Sequence, residues 1–154
     1  MFRWLRWALI PIVAAHNFEE WLTFPIYGGP DAPWPVVQLA LLLVTIVPVL
    51  VVVWAASGRE TQNKHLAVLW VAGIFAANAF LPHVPAAFIA RGYSPGLITA
   101  IAINLPFAFF LYRAALREGM ATARSAALTL VLSALTIPIG VFAALGLSSV
   151  IIRQ

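Results

Sequence analysis

Residues 34–56 read WPVVQLALLLVTIVPVLVVVWAA, an unbroken run without a charged side chain. A bilayer suits so long an apolar stretch, because about 20 residues of helix cross its hydrocarbon core. Lipid also dictates the conformation. With no water to satisfy N–H and C=O groups, a crossing segment must close its own hydrogen bonds as a helix. On that helix Trp34 and Trp54 lie about 30 Å apart, one for each interface.

Four more segments of this kind follow from the same reading, at 4–24, 66–90, 95–115 and 125–151. Gly28-Gly29-Pro30 with Pro33 breaks the chain after the first, and the polar turn from Ser57 to Lys64 follows the second. The third and fourth are separated by Arg91-Gly92-Tyr93-Ser94-Pro95-Gly96, the fourth and fifth by residues 113–124. Trp4 or Trp7 with Trp21, and Tyr93 with Tyr112, supply further interfacial aromatics. The expected fold is all-α, a single integral membrane domain over residues 1–154 made of five transmembrane helices.

Composition agrees. Of 154 residues, 63% are hydrophobic and 9% charged, against about 45–50% and about 25% in a soluble domain. The formal charge of +4 comes from scattered Lys and Arg with no basic run, so no nucleic-acid partner is expected. The absence of cysteine excludes disulfides, thiolate metal sites and cysteine nucleophiles. Arg3, Arg6 and Val13-Ala14-Ala15 mimic a signal peptide, but Pro11 interrupts a short apolar core and apolar character resumes beyond Ala15. An uncleaved first helix is expected.

Seven Lys and Arg (Arg3, Arg6, Arg59, Lys64, Arg113, Arg117 and Arg124) fall on one side of this topology, with Arg91 and Arg153 on the other. The positive-inside rule then puts the N-terminus in the cytoplasm and the C-terminus outside. On the fifth helix Ala126, Ser133 and Gly140 form a small-residue stripe. Such stripes permit close helix packing within a bundle, or a homodimer seam.

Ionisable residues inside a membrane are costly and point to function. The first helix holds His16-Asn17-Phe18-Glu19-Glu20. Positions i, i+3 and i+4 share a helix face, so His16, Glu19 and Glu20 are expected to converge as half of a metal site. Two adjacent carboxylates repel, a cost that a cation between them removes. His83 on the third helix stands between Pro82 and Pro85, which loosen the backbone beside it. Asn78 and Asn104 lie deeper, Asn104 about 13 Å below Pro95 along the fourth helix; they either floor a polar pocket or bond neighbouring helices. In this topology His16, Glu19, Glu20, His83 and the Tyr93-Ser94-Pro95-Gly96 turn share the external half. The plainer alternatives place Glu19 and Glu20 at headgroup level beside Trp21 and make His83 a lone interhelical donor. His65 is read as a solvated loop residue, and Asp31 and Glu60 as loop residues without a role.

These residues resemble the HXXEE-motif family of small bacterial membrane proteins. His16, Glu19 and Glu20 fit its defining motif, and His83 and Tyr93-Ser94-Pro95-Gly96 fill the places of its second histidine and Tyr-x-Pro-Gly motif, over about residues 10 to 115. The resemblance implies a bacterial inner-membrane location and joint action of these residues; it supplies no reaction.

Three functions are weighed. The leading one is a metal-dependent enzyme, hydrolase or oxidoreductase, acting on a membrane lipid or other hydrophobic small molecule. His16, Glu19, Glu20 and His83 would hold zinc or iron, with Glu19, Glu20 and Tyr93 as catalytic candidates. That reading requires the two imidazole rings to lie within about 8 Å of each other. The second is a metal-free His/Glu acid–base lipid isomerase, similar in outline to the five-helix sterol isomerases of the emopamil-binding type. The third is a small transporter or accessory membrane subunit, although no internal repeat of the transporter kind is visible.

Overall fold

The computed structural model describes residues 1–153, and all regular structure among them is helical. The rods are α1 (Phe2–Tyr27), α2 (Trp34–Ala56), α3 (Gln62–Ala90), α4 (Leu97–Arg117) and α5 (Ala123–Ile152). The expected limits of the second helix coincide with α2, and the other four differ from expectation by two to four residues at an end. Helices α2 to α5 are long and apolar enough to cross a membrane. Helix α1 has the length, but His16, Asn17, Glu19 and Glu20 dilute its apolar character.

The outside of the bundle is apolar. Phe142, Ile139 and Leu135 on α5, Leu50 and Val47 on α2, and Phe88 on α3 are all exposed. A protein surrounded by water rarely presents so continuous an apolar surface. Inside, Phe2, Leu9, Val13, Leu69, Val71, Phe75 and Leu111 form the buried core joining α1, α3 and α4.

Helix α3 is central, packing against α2, α4 and α5. Close approach to α5 depends on Gly73: a methyl group there would stand 2.4 Å from the Ser133 hydroxyl and 2.8 Å from that of Tyr112. The Ser133 hydroxyl is shared between the carbonyls of Thr129 (2.6 Å) and Trp70 (2.8 Å), and Tyr112 donates to that of Leu69 (2.8 Å), bringing three helices together at one level. Ala126 and Ser133 are thus buried within the bundle, the packing reading of the small-residue stripe; Gly140 is only half-buried.

Two helices change pitch midway. Ala79–His83 in α3 and Ala100–Asn104 in α4 are π-helical. Proline explains both: it lacks an N–H and its ring collides with the carbonyl four residues back. Pro82 and Pro85 impose this on α3 and Pro106 on α4, and one wider turn relieves the conflict. The two π segments touch each other.

At the end carrying Met1, charged groups are sequestered. Glu60 lies 2.8 Å from Arg3, 3.2 Å from Arg6 and 3.7 Å from His65. His65 is buried edge-on to Phe2, so the expectation of a solvated histidine is corrected, as is that of a Glu60 without a role. Phe2, itself fully buried, packs its ring 5.5 Å from that of His65 near the start of α3.

Candidate functional site

The site is assembled on α1. Residues four apart share a face, so His16 and Glu20 point the same way into the bundle, while Glu19 is turned by about 100°. His16 is fully buried, and Glu20 and His83 nearly so. The π segment of α3 carries His83 inward until the His16 and His83 ring centroids are 5.1 Å apart, nearly perpendicular. The two Nε2 atoms and Glu20 Oε1 converge: Glu20 is 3.4 Å from His83 and 3.8 Å from His16. Among the described residues, His16, Glu20 and His83 form a group whose three donor atoms lie within 4.8 Å of one another.

Asn78 bridges the two rings. Its Nδ2 lies 2.9 Å from Nε2 of His16 and 2.9 Å from Nε2 of His83. An amide NH2 has two protons to give and none to accept. Where the amide donates to both rings, each Nε2 toward the centre is unprotonated and each ring proton is on Nδ1. Nδ1 of His16 lies 2.8 Å from the hydroxyl of Thr99, which donates to Glu19 Oε2 (2.5 Å).

Glu19 is the anchor of this outer chain and stands apart from the converging three, a correction to the expectation that both carboxylates share one site. Its carboxylate accepts the Thr99 N–H (2.8 Å), the Ile98 N–H (3.2 Å) and the Tyr93 hydroxyl. Tyr93 bonds Glu19, not an imidazole or Glu20, and stacks edge-on with Tyr27 at 4.7 Å. Burial, with the hydrogen bond given to Glu19, raises the Tyr93 phenol above its ordinary 10.0, so it remains a donor.

Gly96 closes the site. Its φ of +80° is left-handed, and a Cβ there would fall 2.6 Å from the His83 ring and 3.0 Å from both His16 and Glu20. Only a residue without a side chain lets the turn rest on all three groups at once. Thus the Tyr93–Gly96 turn is the lid of the cluster, and Tyr93 together with Thr99 in the first turn of α4 clamps Glu19.

The asparagines separate. Asn78 touches both histidines, whereas Asn104, 2% exposed, makes no hydrogen bond through its amide among the described residues. The expectation that Asn104 bonds a neighbouring helix is not met. Thr99 was not anticipated. A single threonine in an apolar helix is inconspicuous, and its place three residues after Gly96 is the one signal that marks it.

The fold and this cluster define an all-helical protein with an apolar exterior and a buried His/His/Glu centre closed by a Tyr-Ser-Pro-Gly turn. The chain belongs to the family described as protein of unknown function with HXXEE motif, which it matches over residues 7–111. That span contains every residue of the cluster and its clamp. No curated protein and no solved structure matches the chain.

Proposed function

We propose that the protein is a five-span membrane enzyme of the bacterial inner membrane, using one divalent cation on His16, His83 and Glu20 to transform a lipid or other hydrophobic molecule. Four spans meet the length and apolarity a bilayer requires. The fifth is α1, whose His16, Asn17 and Glu20 are buried in the bundle, with Glu19 half-buried beneath the residues that hydrogen-bond it. The excess of Lys and Arg at the Met1 end supports a cytoplasmic N-terminus, with the site in the external half.

The observation that carries the metal reading is the spacing of the donors. Ligands 2.0–2.2 Å from a tetrahedral ion lie about 3.4 Å from each other, and the Glu20–His83 and Glu20–His16 separations are 3.4 and 3.8 Å. An Asn78 amide that donates to both rings leaves each Nε2 without a proton, the form that ligation demands. Two imidazoles and one carboxylate suit zinc or non-haem iron and leave positions open for water or substrate. The Thr99–Glu19 chain behind His16 is the outer support typical of a metal-bound histidine. A bound zinc would supply an activated water for hydrolysis, and an iron would supply oxidation.

Glu20 is the ligand carboxylate in this reading, and Glu19, Thr99 and Tyr93 are positioning residues. The metal-free alternative, proton transfer by Glu20 and the histidines, draws on the same cluster; Asn78 bonded to both Nε2 atoms favours it when no cation is present. The test is turnover of a bacterial lipid extract by purified protein, followed by mass spectrometry. The expected result is a product that disappears on chelation, returns with one specific divalent ion and is absent with Glu20→Gln. Product formation indifferent to chelation would leave the acid–base reading.

A further inference from the structure

Helix α5 leans on α3 and α2 and barely touches α4, so a groove opens between α4 and α5 with α3 as its floor. Its volume is about 910 Å³. Ala76 and Ala77 form the floor; Phe80, Ala108, Phe109 and Leu130 line the walls. Along α4 it runs from Leu105 to Arg117, about 18 Å by helical rise, slightly more than the depth of one leaflet.

One end of the groove is basic. Arg113 and Arg117 line it one helical turn apart, on the same face of α4, and both are exposed. Among the described residues neither has a carboxylate within salt-bridge range: Glu118 is turned to the Met1 ammonium (2.9 Å), and Glu60 is taken by Arg3 and Arg6. Two uncompensated guanidinium groups therefore stand at the mouth of an apolar slot of chain length. A guanidinium pair matches phosphate oxygens, and an alanine-floored slot matches a methylene chain.

We propose that this groove binds an anionic phospholipid, with one acyl chain between α4 and α5 and the phosphate on Arg113 and Arg117. The site is separate from the His16–Glu20–His83 centre and does not depend on the function proposed for that centre. If the arginines only set topology, headgroup chemistry is irrelevant to them, and this difference is what the experiment reads.

Full-length protein in mild detergent is titrated with phosphatidylglycerol or phosphatidylcholine of identical chains, and retained lipid is counted by native mass spectrometry. The expected result is preferential retention of phosphatidylglycerol. The double variant Arg113→Gln/Arg117→Gln should lower that retention by about fivefold per arginine and lower retention of phosphatidylcholine, whose phosphate is offset by its own choline cation, by much less. Ala127→Phe, an exposed groove position, should reduce both by filling the slot, while Arg153→Gln should change nothing. Equal retention of the two lipids by the wild type, or an unaltered double variant that unfolds normally, would overturn the proposal. So would a wild-type dimer without lipid that Ala127→Phe converts to monomer, since the groove would then be a seam between copies.

Discussion

Glu20 Oε1 faces the Nε2 atoms of two histidines, while Glu19, its neighbour in the chain, faces away from them toward Thr99, Ile98 and Tyr93. One step along a helix turns a side chain by about 100°, and that rotation divides the Glu-Glu pair into a candidate ligand and a buttress. The two carboxylates should therefore fail differently when changed.

Glu19→Gln removes the charge that accepts from Thr99 and Tyr93, and with it the fastening of the turn. Loss of a hydrogen-bonded charge of this kind costs about 1–3 kcal/mol, so a lower thermal midpoint in detergent is expected. Metal affinity should fall by about 10–100-fold, as for other outer-shell changes. Thr99→Val should reproduce the affinity loss by cutting the link to His16. If Glu19→Gln abolished binding as completely as Glu20→Gln, the division of roles would be wrong.

Gly96→Ala places a methyl group 2.6 Å from His83, in a left-handed backbone position. The turn must lift or the cluster must spread, and metal retention should fall at least tenfold while the helical circular dichroism is preserved. Gly140→Ala, where no neighbour lies within 4 Å, is the matched control and should leave both unchanged.

Gly73→Ala tests the packing that holds α3 against α5. A Cβ 2.4 Å from the Ser133 hydroxyl must push the helices apart, at a cost of about 1–3 kcal/mol. Thermal unfolding should show it. Unchanged stability would mean that the three-helix contact is looser than described.

Acid stability should carry a contribution from Glu118. Hydrogen bonds from the Met1 ammonium and the Phe2 N–H hold its carboxyl below the ordinary 4.5. A folded-state value below the unfolded one gives stability that is present above about pH 4.5 and is lost as pH falls through the lowered value. Glu118→Gln should therefore flatten the fall of the unfolding midpoint between pH 5 and pH 3, and added salt should shrink the difference because the pair is exposed.

The helices were legible because lipid makes apolar length a sufficient criterion; α2 could be bounded from residues 34–56 alone. Pro82 and Pro85 announced a disturbed helix, but not that the disturbance would be a π turn swinging His83 toward His16. The division of Glu19 from Glu20 was implicit in helical rotation, yet the i, i+3, i+4 rule by itself admits both to one face. Thr99 gave almost no sign, since its importance comes from Gly96 folding the next helix start against α1. His65 and Glu60 were misread because a charged loop suggests water, whereas Phe2 and Arg6, distant in sequence, cover it. Contacts between remote segments are the part that a linear pattern does not encode.

The central claim is that His16, His83 and Glu20 hold one divalent cation. Metal content of the protein, purified without chelators and reloaded with zinc or ferrous iron, tests it most directly. The account predicts about one ion per chain, absent from His83→Gln and from Glu20→Gln, and retained by His65→Gln at the opposite end of the bundle. Folded protein that takes up neither ion, or uptake that Glu20→Gln and His83→Gln leave intact, would contradict it.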